Sequence, residues 1–175
     1  MIKRMLNILK NLPDKTKNHW SLYDISLICI IAFFNLIITP IVQKYNPIGI
    51  PLVTSWDGII PLIPFFVIPY VLFTTFLIFT VFLVRKDVKF RQSLLTAYAL
   101  TTIVSFIFYI FYQTSMIRPE INPFGVLNTI LHFVYTMDAP LNAFPSLHVG
   151  LTTCALFFLR NKWVGWYIFG LSIIA

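Results

Sequence analysis

The feature that most constrains this chain is a set of apolar runs long enough to cross a lipid bilayer. The hydrocarbon core of a bilayer is about 30 Å thick, so a helix needs about 20 apolar residues to cross it. Residues 25–42, 59–84 and 94–112 form such runs, residues 149–159 form a shorter one, and residues 163–175 begin a fifth. These runs predict an all-α fold: a polytopic transmembrane helical bundle with five visible spans, the last of them incomplete.

Composition excludes an ordinary soluble domain. Hydrophobic residues make up 58% of the 175 residues and charged residues only 11%, whereas soluble domains are about 25% charged. Such a chain has too few polar groups to cover a water-facing globule. Cys29 and Cys154 both lie inside apolar runs, where a thiol behaves as a small hydrophobic group. We therefore expect no disulfide, no metal site and no cofactor.

The positions of the basic residues predict the orientation of the spans. Eleven of the 13 Lys and Arg residues fall on one side of the predicted membrane, namely Lys3, Arg4, Lys10, Lys15, Lys17, Arg85, Lys86, Lys89, Arg91, Arg160 and Lys162. Cytoplasmic loops are enriched in Lys and Arg, so the N-terminus, the 85–93 loop and a tight turn at 160–162 are predicted to be cytoplasmic. Only Lys44 and Arg118 fall on the outer side.

The net charge of +7 is thus explained by topology, and we expect no nucleic-acid partner. Residues 1–24 are basic and lack a small-residue cleavage site, which predicts a retained cytoplasmic segment of a multi-pass cell-membrane protein. Residues 25–175 then form a single membrane-embedded domain. The sequence leaves the oligomeric state open.

Two polar clusters flank the long outer segment between the third and fourth runs. Residues 112–120 contain Arg118, and residues 142–150 contain Ser146 and His148. In a chain with so few charges, polar groups beside the bilayer are the most informative about function. Both clusters lie on the predicted outer face, so we expect them to meet at one membrane surface.

The second cluster predicts the beginning of a helix. Pro145 cannot lie deep in a helix and Ser146 is a favourable N-cap residue, so the helix begins at Ser146 with His148 in its first turn. A helix start exposes unpaired N–H groups at the positive end of the helix dipole and binds anions such as phosphate. Arg118 would add a bidentate donor, and His148 is suited to protonate a leaving oxygen at neutral pH.

Simpler interpretations also exist for these residues. Ser146 alone would be a helix cap, Arg118 an interfacial cation and His148 a structural histidine. Asp138, in the loop before the second cluster, either orients a histidine or is a solvated loop carboxylate. Over residues 126–134 apolar side chains recur at helical spacing, which predicts either an amphipathic helix in the membrane interface or an ordinary loop helix.

At these residues the sequence resembles the type 2 phosphatidic acid phosphatase superfamily. The stretch Phe144-Pro145-Ser146-Leu147-His148 is similar to its second signature, in the Pro-Ser-Leu-His form of the inositolphosphotransferase-like branch, which includes inositol phosphorylceramide synthases. Arg118-Pro119 resembles the end of the first signature, Lys-x6-Arg-Pro. Residues 57–70 resemble the segment that enters the second span in bacterial members, and the resemblance extends from about residue 20 onward.

The resemblance implies a bundle of six spans with a metal-free site on the outer face. That site would act on a lipid phosphate or a phospholipid headgroup through a phosphohistidine. Arg118, Ser146 and the backbone N–H of Leu147 would bind phosphate, and His148 would protonate the leaving group. The lysine of the first signature would fall at Phe111, so its contact is absent or is supplied by another group such as Gln113.

The third signature of the superfamily, which supplies the nucleophilic histidine, does not occur in the 175 residues. His19 lies on the predicted cytoplasmic side, and His132 in the amphipathic segment is a poor substitute. We therefore expect a membrane lipid phosphatase or phosphotransferase, or alternatively a catalytically incomplete fragment or non-enzymatic protein that binds anionic headgroups. A transporter or channel subunit is less favoured, because no ionisable residue is expected at mid-membrane. The lipid substrate is left open.

Overall fold

The computed structural model describes residues 19–45, 47–54, 57, 59, 61–122, 124–160 and 164–174. The helices of this part of the chain are α1 (Leu22–Tyr45), α2 (Val67–Val84), α3 (Val88–Phe111), α4 (Val126–Met137), α5 (Leu147–Leu159) and α6 (Val164–Ile174). Two of them, α1 and α3, are long and apolar enough to cross a membrane. Counted together with the 3-10 turn Pro64–Phe66 before it, α2 becomes a third candidate.

A mostly helical fold with apolar membrane-type helices is thus confirmed. Five spans, the last of them incomplete, stay a prediction, because α5 has 13 residues and α6 has 11, which correspond to only about 20 Å and 17 Å of helix. The basic residues before residue 19 and the predicted turn at Asn161 and Lys162 lie outside the described residues.

The first helix begins three residues before the predicted boundary at residue 25. Ser21 caps it: its hydroxyl accepts from the backbone N–H of Asp24, and the Asp24 carboxylate accepts from the N–H of Ser21 at 2.8 Å. This reciprocal capping box satisfies two donors that a helix start otherwise leaves unpaired. A π-helical turn over Phe34–Ile38 interrupts α1 without ending it.

The second helix begins later than predicted. The run from residue 59 was predicted as one span, but Ile63 is extended (φ −108°, ψ 102°) and the α-helix starts only at Val67. The residue before a proline is disfavoured in the α conformation, so Pro64 explains this delay. The helix is also bent by 40° between Val71 and Phe73, within one turn of Pro69, which removes a backbone hydrogen bond.

The third helix begins earlier than predicted, at Val88 rather than residue 94. Asp87 accepts from the N–H of Phe90 at 3.1 Å and caps the helix, so the predicted 85–93 loop is shorter than expected. Arg91 had been assigned to that loop as a topology cation, but its side chain is 1% exposed inside the bundle. There it forms an ion pair with Asp24 of α1 at 2.8 Å.

The core forms where α3 packs against α5. Phe76, Leu94, Ala155 and Leu159 are completely buried in one cluster that also includes the facing side of α2. On its other side α3 packs against α1, and α6 packs against α5 and α2. The central position of α3 explains why a larger share of it is buried than of α1.

The loops after α1 and α3 meet at one end of the bundle, which we call the cavity end. Two short strands, β1 (Ile50–Pro51) and β2 (Thr114–Ser115), pair in parallel there. Gly49 allows this approach, because a Cβ at that position would lie 2.7 Å from the carbonyl carbon of Thr114. A further bridge joins Ser115 to Leu141 in the segment that leads into α5. The cavity end therefore gathers the polar segments on both sides of α4.

Candidate functional site

A cavity of about 410 Å³ opens at the cavity end of the bundle. Five of the six residues singled out from the sequence line it: Arg118, Asp138, Ser146, Leu147 and His148. The sixth, Gln113, is 3% exposed and is not among the lining residues. Two segments more than 20 residues apart in the chain thus supply one cavity, which we call the polar cavity.

Helix α5 begins as the sequence predicts. Ser146 is its N-cap, and the Ser146 hydroxyl accepts from the backbone N–H of Val149 at 3.4 Å. The Tyr109 hydroxyl of α3 donates to the carbonyl of Pro145 at 2.6 Å. One N–H group at this helix start, that of Val149, is therefore already engaged.

Thr114 fixes the chain just before that helix start. Its hydroxyl accepts from the N–H of Phe144 at 2.8 Å and donates to the carbonyl of the same residue at 3.2 Å. Asn142, two residues earlier, has a positive φ of 60°, a conformation that Asn adopts more readily than most side chains. These contacts hold the approach to His148 against the end of α3.

Arg118 has both terminal nitrogens engaged. Nη1 donates to the carbonyls of Tyr135 and Asp138 at 3.0 and 2.6 Å, and Nη2 donates to the Asp138 carboxylate at 3.2 Å and the Ala139 carbonyl at 3.5 Å. A cation at the C-terminal end of α4 is also favoured by the helix dipole. Arg118 therefore holds the end of α4 in addition to lining the polar cavity.

Asp138 makes contacts that neither of the two interpretations drawn from the sequence specified. Its side chain is 47% exposed, yet it is bound on two sides. One carboxylate oxygen accepts from Arg118 and also from the Tyr70 hydroxyl at 3.0 Å. Asp138 thus joins the end of α4 to the beginning of α2.

His148 is half-buried between two aromatic rings of α2. The ring of Tyr70 stacks on it with centroids 4.7 Å apart and an angle of 17°, and Phe73 packs at 4.2 Å with a 40° tilt. Tyr70 therefore contacts the imidazole with its ring and Asp138 with its hydroxyl. The sequence analysis did not identify Tyr70, Phe73 and Tyr109, although an aromatic residue directly after Pro69 was the available signal for Tyr70.

The two other histidines lie away from the polar cavity lining. His132 is exposed on α4. His19 lies at the opposite end of the bundle, where its carbonyl accepts from Arg91 at 3.2 Å. His148 is thus the one histidine that lines the polar cavity in the described part of the chain.

Asp57, from the segment of residues 57–70, lies outside the lining of the polar cavity. Its carboxylate accepts from the backbone N–H of Thr54 at 2.6 Å and from the Thr54 hydroxyl at 3.0 Å. These two hydrogen bonds stabilise the charged form and lower the pKa of the Asp57 carboxyl. Within the described ranges, no group of three or more His, Cys, Asp or Glu residues could hold a metal ion.

The chain was also compared with known proteins. No family model, no curated protein and no solved structure matches it.

Proposed function

We propose that the polar cavity binds the phosphate of a membrane lipid, and that the protein is a membrane phosphatase or phosphotransferase acting on that lipid at the extracytoplasmic surface. The observation that carries the proposal is the convergence of a histidine, a capped helix start and an arginine in one cavity. A helix start and a guanidinium both favour an anion. A neighbouring imidazole supplies the proton that a leaving oxygen needs.

His148 acts in this proposal as the general acid. As the bond between phosphorus and the lipid oxygen breaks, the protonated imidazole gives its proton to that oxygen and becomes neutral. The phosphoryl group passes to a water molecule or to a second alcohol, and the proton released by that attacking hydroxyl goes to solvent, from which the imidazole is protonated again. The resemblance assigns the nucleophile to a histidine, and the proposal places no described residue in that role.

Tyr70 and Phe73 position the general acid. Two rings at 4.7 and 4.2 Å hold the imidazole plane, which limits the orientations that His148 can adopt at the mouth of the cavity. Preorganisation of this kind lowers the entropy lost on reaching the reacting geometry.

Arg118 binds phosphate in this proposal by exchanging anions. In the structure the Asp138 carboxylate faces its Nη2 nitrogen at 3.2 Å, which is the kind of contact that a phosphate oxygen would make. Because the Asp138 side chain is 47% exposed, it can turn toward solvent when a phosphate takes its place. The contacts of Arg118 to backbone carbonyls would keep its guanidinium aligned during the exchange.

The alternative function is binding of anionic headgroups without turnover. Two observations favour it. Arg118 is already hydrogen-bonded to the Asp138 carboxylate and to three backbone carbonyls. In addition, the described residues that line the cavity include one histidine, His148. In that case the cavity would recognise phosphate and leave the phosphate ester intact.

The test is release of inorganic phosphate from phosphatidic acid by the purified protein in vesicles. We expect turnover by the wild type and its loss in His148→Ala, because His148 is the one histidine among the described residues that line the cavity. His132→Ala is the matched control, since it removes an exposed histidine from the same end of the bundle and should retain turnover.

Normal turnover by His148→Ala would contradict the enzymatic proposal. Absence of turnover in the wild type, with phosphatidic acid still bound more tightly than phosphatidylcholine, would favour the headgroup-binding alternative.

A further inference from the structure

A second cavity lies between α1, α2 and α3, next to the polar cavity. Its volume is about 500 Å³, within the range of about 300–1,000 Å³ typical of ligand sites. The floor is buried, with Phe73, Leu95 and Leu151 between 2% and 8% exposed, whereas Leu36 and Ile78 at the rim are 75% and 68% exposed. We call this cavity the apolar groove, because one long side of it is open.

The apolar groove adjoins the polar cavity. Asn35 of α1 lines both of them. Phe73 lines the groove and at the same time packs against the His148 ring at 4.2 Å. A ligand that extends from His148 past Asn35 therefore leaves a polar environment and enters an apolar one.

The dimensions of the groove fit hydrocarbon chains. It extends from Ile28 to Leu36 along α1 and from Phe73 to Val81 along α2, which is about 12 Å of helix. A helix about 10 Å wide would need about 900 Å³ over that length, more than the groove contains. Over the same length, a hydrocarbon chain whose carbons approach their neighbours at about 4 Å would fill about 200 Å³. The groove is therefore large enough for one or two hydrocarbon chains.

The open side of the groove faces the space between α1 and α2. Helix α1 packs mainly against α3, and α2 packs against α3, α5 and α6, rather than the two against each other. None of the residues that line the groove is charged. A lipid chain can thus enter sideways from a bilayer without passing a charged group.

We propose that the apolar groove holds the hydrocarbon tail of the same lipid whose phosphate binds in the polar cavity. The inference rests on the proposed function and extends it, because it restricts the substrate to lipid phosphates with long chains. A water-soluble phosphate ester would leave the groove floor at Phe73, Leu95 and Leu151 without its partner, and would lose the free energy gained by covering apolar surface.

Photo-crosslinking tests the proposal without requiring turnover. The probe is phosphatidic acid with a diazirine in the middle of one acyl chain, incorporated into phosphatidylcholine vesicles that contain the full chain. We expect crosslinks at groove residues of α1 and α2, exceeding by about fivefold those of a probe with identical chains and a phosphocholine headgroup.

Two substitutions should block the groove. Ala32→Trp fills it from α1, and Thr74→Trp fills it from the exposed rim on α2, so each should lower the crosslinking about fivefold. Ile37→Trp is the matched control, because Ile37 is exposed on α1 and does not line the groove. It should leave the crosslinking unchanged.

Equal crosslinking by the two probes, or crosslinking that neither blocking substitution lowers, would overturn the proposal, because the groove would then hold only bulk lipid. Phosphate binding by the wild type, measured on the same preparation, separates this failure from that of the proposed function. If the two probes crosslink equally but the protein still binds phosphate, only the proposal for the apolar groove is refuted. If the protein does not bind phosphate, the proposed function is refuted.

Discussion

The buried ion pair between Asp24 and Arg91 gives the sharpest prediction about stability. The two side chains are 0% and 1% exposed, and the nitrogen-to-oxygen distance is 2.8 Å. Arg91 also donates to the carbonyls of Arg85 at 2.6 Å and His19 at 3.2 Å, and its guanidinium lies 4.9 Å from the ring of Trp20. It therefore joins the beginning of α3 to the beginning of α1 and to the end of α2.

Arg91→Met should destabilise the fold by about 3–5 kcal/mol, because removing one partner of a buried pair leaves the other charge without compensation. The double variant Asp24→Asn with Arg91→Met should recover part of that loss, since it removes the uncompensated carboxylate. Reversible unfolding in detergent measures the free energy of unfolding.

Lys89→Met is the matched control, because it removes the same charge from the same turn of α3 at an exposed position. It should change the free energy of unfolding by less than about 0.5 kcal/mol. A loss for Arg91→Met no larger than that of the control would refute the reasoning, because the buried pair would then contribute nothing.

Two further substitutions test the packing and the helix start. Gly170→Ala should destabilise the fold by about 1–3 kcal/mol, because the new Cβ would lie 2.6 Å from Leu156 and 2.7 Å from Phe76. Gly165→Ala is the control, since nothing lies within 4 Å of a Cβ at that position. Equal melting temperatures for the two variants would contradict this prediction. Ser146→Ala should lower the free energy of unfolding by about 1 kcal/mol because the N-cap is lost, and Ser146→Asp should restore it. Thermal melting of the wild type and the two variants measures this, and equal melting temperatures for the wild type and Ser146→Ala would contradict it.

The sequence was sufficient for the elements whose causes are local. Pro145 followed by Ser146 predicted the start of α5, and the structure confirms Ser146 as its N-cap. Helical spacing over residues 126–134 predicted α4, which is confirmed and ends three residues later. Both features depend on residues within one or two turns of each other, so pattern alone was enough.

Features that depend on contacts between distant helices were not predictable in the same way. Arg91 was read as a loop cation because its partner Asp24 lies 67 residues earlier in the chain. The contact of Asp138 with Tyr70 was not predicted, because Tyr70, which donates to it, lies 68 residues earlier. The spacing of apolar residues along the sequence carries no information about such pairs. The aromatic rings around His148 were not predicted for the same reason.

The central claim is that Arg118 can bind a phosphate in the polar cavity, and the most direct measurement is line broadening of inorganic phosphate in phosphorus NMR. We expect broadening by the wild type, less by Arg118→Ala, and more by Asp138→Asn, because Asp138 competes for the guanidinium at 3.2 Å. Lys44→Ala, which removes the exposed cation near the end of α1, should behave as the wild type. Opposite effects at Arg118 and Asp138 cannot arise from misfolding alone. Equal broadening by the wild type, Arg118→Ala and Asp138→Asn would contradict the account.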